Sequence, residues 1–342
     1  MATEPLRIGT RASQLALTQT GWVAGRLRTW TEDVTIVEVS TRGDLRQDTP
    51  IHRFGGDGVF VRELEQALLD GRIDVAVHSL KDVPTAATPG LEIAAVPLRA
   101  LPFDVLVTGS AGLTLESLPS GAVVGTSSVR RVAQVLGARP DVVVRPLRGN
   151  VDTRLRRLDA GDYDAVILAG AGLERLGLVG RITEVLQPPR FWPAVGQDAL
   201  AIQIRETDRR ARAAVLPLDD PPTHRAVRAE RACLAALAGG CLAPIGAWSR
   251  GTATGKLMLG ACVLELAGQT ASRLVVEEEG HDAVGGGVPS ASADESPEAL
   301  GARVAAVLVS RGADAMLARM REPPASGAHP ERDADVEGMK KA

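Results

Sequence analysis

The sequence predicts an α/β protein: two similar domains with mainly parallel sheets, followed by a smaller α+β unit. Three observations carry this. Short apolar runs alternate with helical patterns through the first hundred residues, and the same order returns after Pro119. A unit of different character begins after the Asp-Asp-Pro-Pro stretch at 219–222.

Along the chain, RIGT reads as a strand ending in a turn, and SQLALTQTGWVAGRL as a helix with Ser13 at or near its cap. VTIVEVS alternates as a strand should. VFVRELEQALLDG is an amphipathic helix closed by Gly71, and IDVAVHSL a buried strand emptying into the loop KDVPT. After Pro119, AVVGTSSVRRVAQVL gives strand, polar turn and helix, and DYDAVILAGAGLERLG gives strand, small-residue turn and helix. IGTRASQLA at 8–16 echoes VGTSSVRRVA at 124–133, and GRIDVAV at 71–77 echoes GDYDAVI at 161–167. Two copies are too few for a stacked solenoid, so the echo marks two related domains. In the third unit, THRAVRAERACLAALAGG is a helix stopped by its glycine pair, with two or three strands around 244–279. A polar stretch from Gly280 reads as a mobile loop, PEALGARVAAVLVSRGADAMLARM as one or two helices, and residues 323–342 as a disordered tail.

Composition narrows the function. The 342 residues are 45% hydrophobic, too apolar for a disordered chain, and no run reaches the roughly 18 apolar residues of a membrane span. The amino terminus, MATEPLRIGTR, has no apolar signal core, so a cytoplasmic location is expected and no membrane is. A net charge of −3 and an aromatic content of 3% argue against a nucleic-acid partner. Cys233, Cys241 and Cys262 form no CxxC pair and have no nearby histidine, which argues against a disulfide framework and a zinc site. No metal is expected.

Of 39 basic residues only four are lysines, and Lys81 is the only one in the first 255 residues. Codon bias in a GC-rich genome accounts for the bulk of that skew. A second account, compatible with the first, is that many arginines are forks for carboxylates or phosphates.

Two strand–Gly-Thr–polar–helix turns offer backbone N–H groups to an anion. Arg11, Ser13, Thr126, Ser127, Ser128, Arg130 and Arg131 add side-chain donors. The ordinary alternative is helix capping by the serines, against which the Arg130–Arg131 pair weighs. RPLRGNVDTRLRRLD places Arg148 at a strand's carboxyl edge, while Arg156 and Arg157 read as solvated helix charges. So many arginines on a chain of slight negative charge point to a small polyacid as ligand. Lys81 and Asp82 follow a buried strand: either a salt-bridged turn, or a cleft carboxylate that stabilises positive charge or moves a proton. His78 reads as a satisfied core histidine. Cys241, in AGGCLAPIG, sits on an irregular loop suited to covalent attachment or nucleophilic chemistry, whereas Cys233 and Cys262 read as core.

In order, RIGTRASQLAL, TRGD, AVHSLKDVPT, VGTSSVRR, RPLRGNVDTRL, AGLERLGL, PAVGQDAL and AERACLAALAGGCLAPIG resemble the motifs of the hydroxymethylbilane synthase (porphobilinogen deaminase) family. The resemblance runs from about residue 6 to 320. It implies two doubly wound lobes similar to type II periplasmic binding proteins: residues 1–100 with 197–218, and residues 101–196. A smaller domain over 219–322 follows. It further implies a dipyrromethane cofactor in thioether linkage to Cys241, with Asp82 as the catalytic carboxylate. Ser79, Lys81, Thr126, Ser128, Arg130, Arg131, Arg148 and Gln197 fall on its cofactor-binding positions. Arg11, Ser13, Arg154 and Arg175 fall on its substrate-binding positions. The implied reaction joins four porphobilinogens head to tail into hydroxymethylbilane in a cytoplasmic monomer. Three positions depart from the pattern: Asp57 in the GGxGxF loop, Phe103 where arginine is common, and Asp198 where glycine is usual. None touches Asp82 or Cys241, so an active enzyme is expected. The rival readings are a two-lobed solute-binding protein, which gives Cys241 no role, and a non-catalytic paralogue that binds tetrapyrrole precursors.

Overall fold

The computed structural model describes residues 4–31, 33–40, 58, 61–110, 112–238, 243–268, 270–280 and 295–321. The TRGD motif, Asp57, Cys241, most of the polar stretch after Gly280 and the expected tail lie outside the described residues.

The first lobe is built on β1 (Leu6–Thr10), β2 (Val34–Glu38), β3 (Val75–Ser79), β4 (Leu91–Ala95) and β10 (Leu200–Arg205), in the order β2-β1-β3-β10-β4. The second uses β5 (Asp104–Thr108), β6 (Val123–Gly125), β7 (Val143–Arg145), β8 (Ala165–Ala169) and β9 (Glu184–Leu186), in the order β7-β6-β8-β5-β9. In each sheet one strand, β10 or β5, runs antiparallel to both neighbours, and the other four are parallel. The mainly parallel sheet expected from strand–helix alternation is therefore present, with one reversed strand per lobe that the alternation did not reveal.

Both sheets are covered on two faces, as a doubly wound lobe requires. Leu106 of β5 and Ile167 of β8 pack into one cluster, while their neighbours Val105, Val107, Val166 and Leu168 pack into another. In β3, Val75 and Val77 face one cluster and Ala76 the other. Burial on both faces explains why these strands read as continuous apolar runs.

The helices of the lobes are α1 (Gln14–Leu27), α2 (Arg62–Leu69), α3 (Val129–Ala138), α4 (Val151–Asp159), α5 (Gly170–Arg175) and α6 (Arg209–Val215). Ser13 does cap α1, its Oγ accepting from the Ala16 N–H at 3.3 Å. The small-residue turn expected after β8 is instead the first turn of α5. Ala169 is the extended N-cap, and the Gly170 N–H is taken up by the Phe103 carbonyl at 2.9 Å.

The sequence echo extends to atomic detail. The Arg7 N–H donates to Asp74 Oδ2 at 3.0 Å, and the equivalent Val123 N–H donates to Asp164 Oδ2 at 2.7 Å. Gly9 and Gly125, at matching places in β1 and β6, leave the room that Ile73 and Tyr163 fill, since a Cβ on either would overlap that side chain. The two lobes are copies of one packing scheme.

The third unit holds β11 (Ile245–Gly251), β12 (Leu257–Ala267) and β13 (Thr270–Glu279) in one antiparallel sheet. Helices α7 (Pro221–Ala236), α8 (Pro297–Ser310) and α9 (Ala313–Arg321) cover it, so the stretch after Pro297 is two helices. Asp220 caps α7 through the Thr223 N–H at 2.9 Å. Trp192, wholly buried, joins this unit to the second lobe by packing with Ala133, Cys262 and Leu264. A Cβ at Gly260 would overlap the edge of the Trp192 ring. Gly260→Ala is therefore expected to cost about 1–3 kcal/mol through overpacking, measured as a lower urea midpoint with Trp fluorescence as the probe.

Candidate active site

The reversed strands decide where the site lies. Residues 96–103 carry the chain from β4 to β5, and residues 187–199 return it from β9 to β10. Both segments run between carboxyl edges, because β5 and β10 start where their antiparallel neighbours end: Asp104 pairs with Ala169, and Leu200 with Ser79. The carboxyl edges of the two sheets are thus tied together, and ligands of open α/β sheets bind at such edges.

On the first lobe, Arg11 and Ser13 lie in the turn after β1. Ser79 ends β3, with its Oγ 3.2 Å from Gln19 Nε2. A 3-10 turn, Leu80–Asp82, follows directly. Lys81 donates from Nζ to Gln197 Oε1 at 3.4 Å. Burial pulls its pKa down, and the neighbouring Asp82 charge opposes that pull. The two are sequence neighbours but not a salt-bridged turn, and the Asp82 carboxylate accepts no hydrogen bond from any described residue.

On the second lobe, Thr126 and Ser128 occupy the turn between β6 and α3. Neither serine of that turn caps the helix. Ser128 holds the N-cap position without a side-chain bond, and Ser127 Oγ donates to the Leu147 carbonyl at 3.0 Å. Arg148 follows β7, and Arg154 on α4 donates from Nε to the Gly149 carbonyl at 2.8 Å. Arg175 ends α5 and donates to the Asp198 carbonyl at 2.6 Å. Burial lowers the Arg175 pKa, partly offset by Asp198 and Glu174.

Arg130 and Arg131 differ from the expectation of freely offered forks. Both are buried and share Asp104, which is wholly buried at the start of β5. Arg130 Nη1 reaches Asp104 Oδ2 at 2.7 Å and also the Trp192 carbonyl. Arg131 reaches Asp104 Oδ1 at 2.6 Å through Nη2, and the Ile167 carbonyl at 3.0 Å through Nη1. Gln197 completes the set, its Nε2 donating to Asp104 Oδ1 at 3.0 Å. Burial alone would push the Asp104 carboxyl up, but the two guanidiniums hold it well below the usual carboxylate range. Lys81, Gln197, Asp104 and Arg131 form one connected group across the two lobes.

Farther along the edge the balance is different. Burial and the like charges of Arg131 and Arg148 push the Arg154 guanidinium down to about 10. A guanidinium among cations is stabilised by an incoming anion, which is what a carboxylate site requires.

Burial and pairing place the other residues singled out in the sequence. His78 is a core histidine: Nε2 lies 3.0 Å from Gln203 Oε1, and burial pushes its pKa down to about 4. Cys233 and Cys262 are buried and free, and burial pushes both thiols up to about 12. Arg157 is an exposed partner of Asp162 at 2.9 Å. Phe103 packs edge-to-face on Trp248 of the third unit at 5.1 Å, which accounts for an aromatic residue there.

Residues that pattern reasoning missed tie this region together. Glu230 of α7, wholly buried, takes both prongs of Arg99 at 2.7 and 3.0 Å and the N–H groups of Gly196 and Ser249 at 2.8 and 2.9 Å. It fastens both interlobe segments to the third unit. The one sequence signal for Asp104 is an acid opening a run, DVLVT, whose other members are buried. Among the described residues, no group of three or more His, Cys, Asp or Glu is placed to hold a metal ion, and no helix is long and apolar enough to cross a membrane.

The family model described as the dipyromethane cofactor binding domain of porphobilinogen deaminase matches residues 6–213, and that of the porphobilinogen deaminase C-terminal domain matches residues 224–310. Porphobilinogen deaminase of Acidothermus cellulolyticus is 48% identical over 316 residues, covering 91% of each chain. That of Thermus thermophilus is 46% identical over 316 residues, covering 92% of this chain and 98% of its own. With two lobes joined at their carboxyl edges and these matches spanning nearly all of both, the chain belongs to the porphobilinogen deaminase family.

Proposed function

We propose that this chain joins four porphobilinogen molecules head to tail in a cleft where the two carboxyl edges meet. Each step breaks the substrate's aminomethyl C–N bond and forms a C–C bond between that methylene and the free pyrrole α-carbon that attacks it, whose lost proton balances the ammonia released. The observation that carries the reading is Arg154, held among the like charges of Arg131 and Arg148. Each pyrrole of substrate and product bears two carboxylates, and Arg154, whose guanidinium bonds the Gly149 carbonyl and pairs with no carboxylate among the described residues, matches such a polyacid.

The same donor set fits a dipyrromethane, which also bears carboxylates and pyrrole N–H groups. When bound, that cofactor supplies the free pyrrole α-carbon on which the chain grows. We assign Cys241 its thioether, with Ser79, Lys81, Thr126, Ser128, Arg131, Arg148 and Gln197 as its polar partners. Arg130 serves by holding Asp104 and the Trp192 carbonyl in place. Arg11, Ser13, Arg154 and Arg175 receive the substrate carboxylates. Asp82, whose carboxylate has no hydrogen-bond donor among the described residues, accepts from pyrrole N–H groups. It stabilises the positive charge that develops on the substrate ring as ammonia leaves. Lys81 beside it keeps carboxylates near while its own charge, compact and strongly hydrated, differs from that of an arginine.

The reading also assigns a reducing, cytoplasmic compartment, in keeping with the free thiols of Cys233 and Cys262. A monomer is supported by the scatter of exposed large apolar side chains over all three units, as with Trp22, Val143 and Val309.

Intact mass spectrometry tests the reading. Freshly purified full-length protein is expected to carry the mass of a dipyrrole and to consume porphobilinogen, and Cys241→Ser to do neither. An unmodified, inactive wild-type chain would sink the assignment.

A further inference from the structure

Asp198 is a buried carboxylate that the chemistry above leaves unused. It follows Gln197 in the returning segment. The next residue, Ala199, accepts the Leu80 N–H at 2.9 Å, so Asp198 lies against the turn that carries Lys81 and Asp82. Its backbone sits at φ +72°, a left-handed conformation that favours glycine. The residue is only 6% exposed. Its Oδ2 accepts just the Ala171 N–H, at 3.4 Å, from the start of α5. Lys81 faces it from the turn after β3, Arg175 from α5, and Asp104 from β5. A buried carboxylate therefore lies in the field of two cations, Lys81 and Arg175, the latter bonded to its backbone carbonyl, and forms a salt bridge with neither.

We propose that Asp198 is an internal counter-ion that competes with porphobilinogen carboxylates for Lys81 and Arg175, and so sets substrate affinity at this end of the cleft. The proposal rests on the reading of the cleft as a polycarboxylate site. A fixed negative charge lowers the attraction felt by an incoming carboxylate, and the effect is large where water is scarce. Burial pushes this carboxyl up to about 6, against the pull of Lys81 and Arg175. It is thus mostly ionised at neutral pH and gains a proton as pH falls towards 5. Because the folded value lies above the unfolded one, the folded state binds the extra proton between roughly pH 4 and 6. Stability from this group is therefore greatest below that window and falls as pH rises through about 6.

D198N and D198G holoenzymes test this. Both residues tolerate a positive φ, so both variants are expected to fold. KM for porphobilinogen is expected to fall about five-fold at pH 7.5, more than kcat changes, with the gap from wild type closing towards pH 5.5. Thermal midpoints should rise at pH 7.5, and that rise should shrink towards pH 5. If both variants keep the wild-type KM across this range, the counter-ion role is overturned while the reading of the cleft stands. If wild-type protein consumes no porphobilinogen, the reading of the cleft fails. In that case, unchanged pH dependence of thermal stability in both variants separately overturns the counter-ion.

Discussion

Asp82→Asn is expected to lower kcat for porphobilinogen consumption by about 10²- to 10⁴-fold, the range spanned by charge stabilisation and proton-handling groups. The folded state should hardly notice. Asp82 accepts no hydrogen bond from a described residue, so the isosteric amide breaks none there. What it loses is the charge. An amide oxygen can still accept from a pyrrole N–H, but it gives far less stabilisation to a ring that becomes cationic. The expected pattern is therefore a near-wild-type thermal midpoint, a retained dipyrrole mass and a collapsed kcat. Steady-state kinetics with intact-mass analysis reads all three. Near-normal turnover would remove Asp82 from its assigned role.

Asp104→Ala is expected to give the largest loss of stability, about 3–5 kcal/mol, because it leaves two buried guanidiniums uncompensated. Arg130 and Arg131 would keep their carbonyl partners, at Trp192 and Ile167, but lose the charge that justifies burying them. The pH dependence has a definite sign. The two arginines hold the Asp104 carboxyl below its ordinary range, so its stabilising contribution is fully present above the unfolded value near 3.9. It is lost as pH falls through the lower folded value. Urea denaturation at pH 7 and at pH 3.5 is expected to show a large wild-type advantage at the first that begins to narrow at the second. A variant as stable as wild type at pH 7 would count against the Asp104 pairing with Arg130 and Arg131 as a structural element.

Much of this was legible in one dimension. The strand–helix alternation and the echo of IGTRASQLA in VGTSSVRRVA predicted two related lobes, because side-chain periodicity and capping chemistry are local properties. The equivalence of Asp74 and Asp164 follows from the same repeat. Cys233, Cys262 and His78 were identified as core from their place in apolar runs, and all three are buried. Strands β4, β5, β9 and β10 were harder to read. β5 and β10 are short apolar stretches entered straight from the other lobe, so no alternation with a helix announces them.

The chemistry divides in the same way. By itself, the sequence determined which residue types stand at the strand ends: Lys81 and Asp82 after a buried strand, Thr126 and Ser128 before a helix, and an excess of arginine throughout. It could not say which arginines are available, because a guanidinium's partner is chosen by proximity in space. Arg130 and Asp104 are 26 residues apart, Gln197 and Asp104 are 93, and Arg99 and Glu230 are 131. Only folding brings them together, and only then do Arg130 and Arg131 come to share Asp104. Arg154, with like charges as its neighbours, is left as a cation in want of an anion. Asp198 turns from a departure in a motif into a buried charge beside Lys81 and Arg175. Residue type is local; net charge at a point in the cleft is a sum over groups that only the tertiary structure assembles.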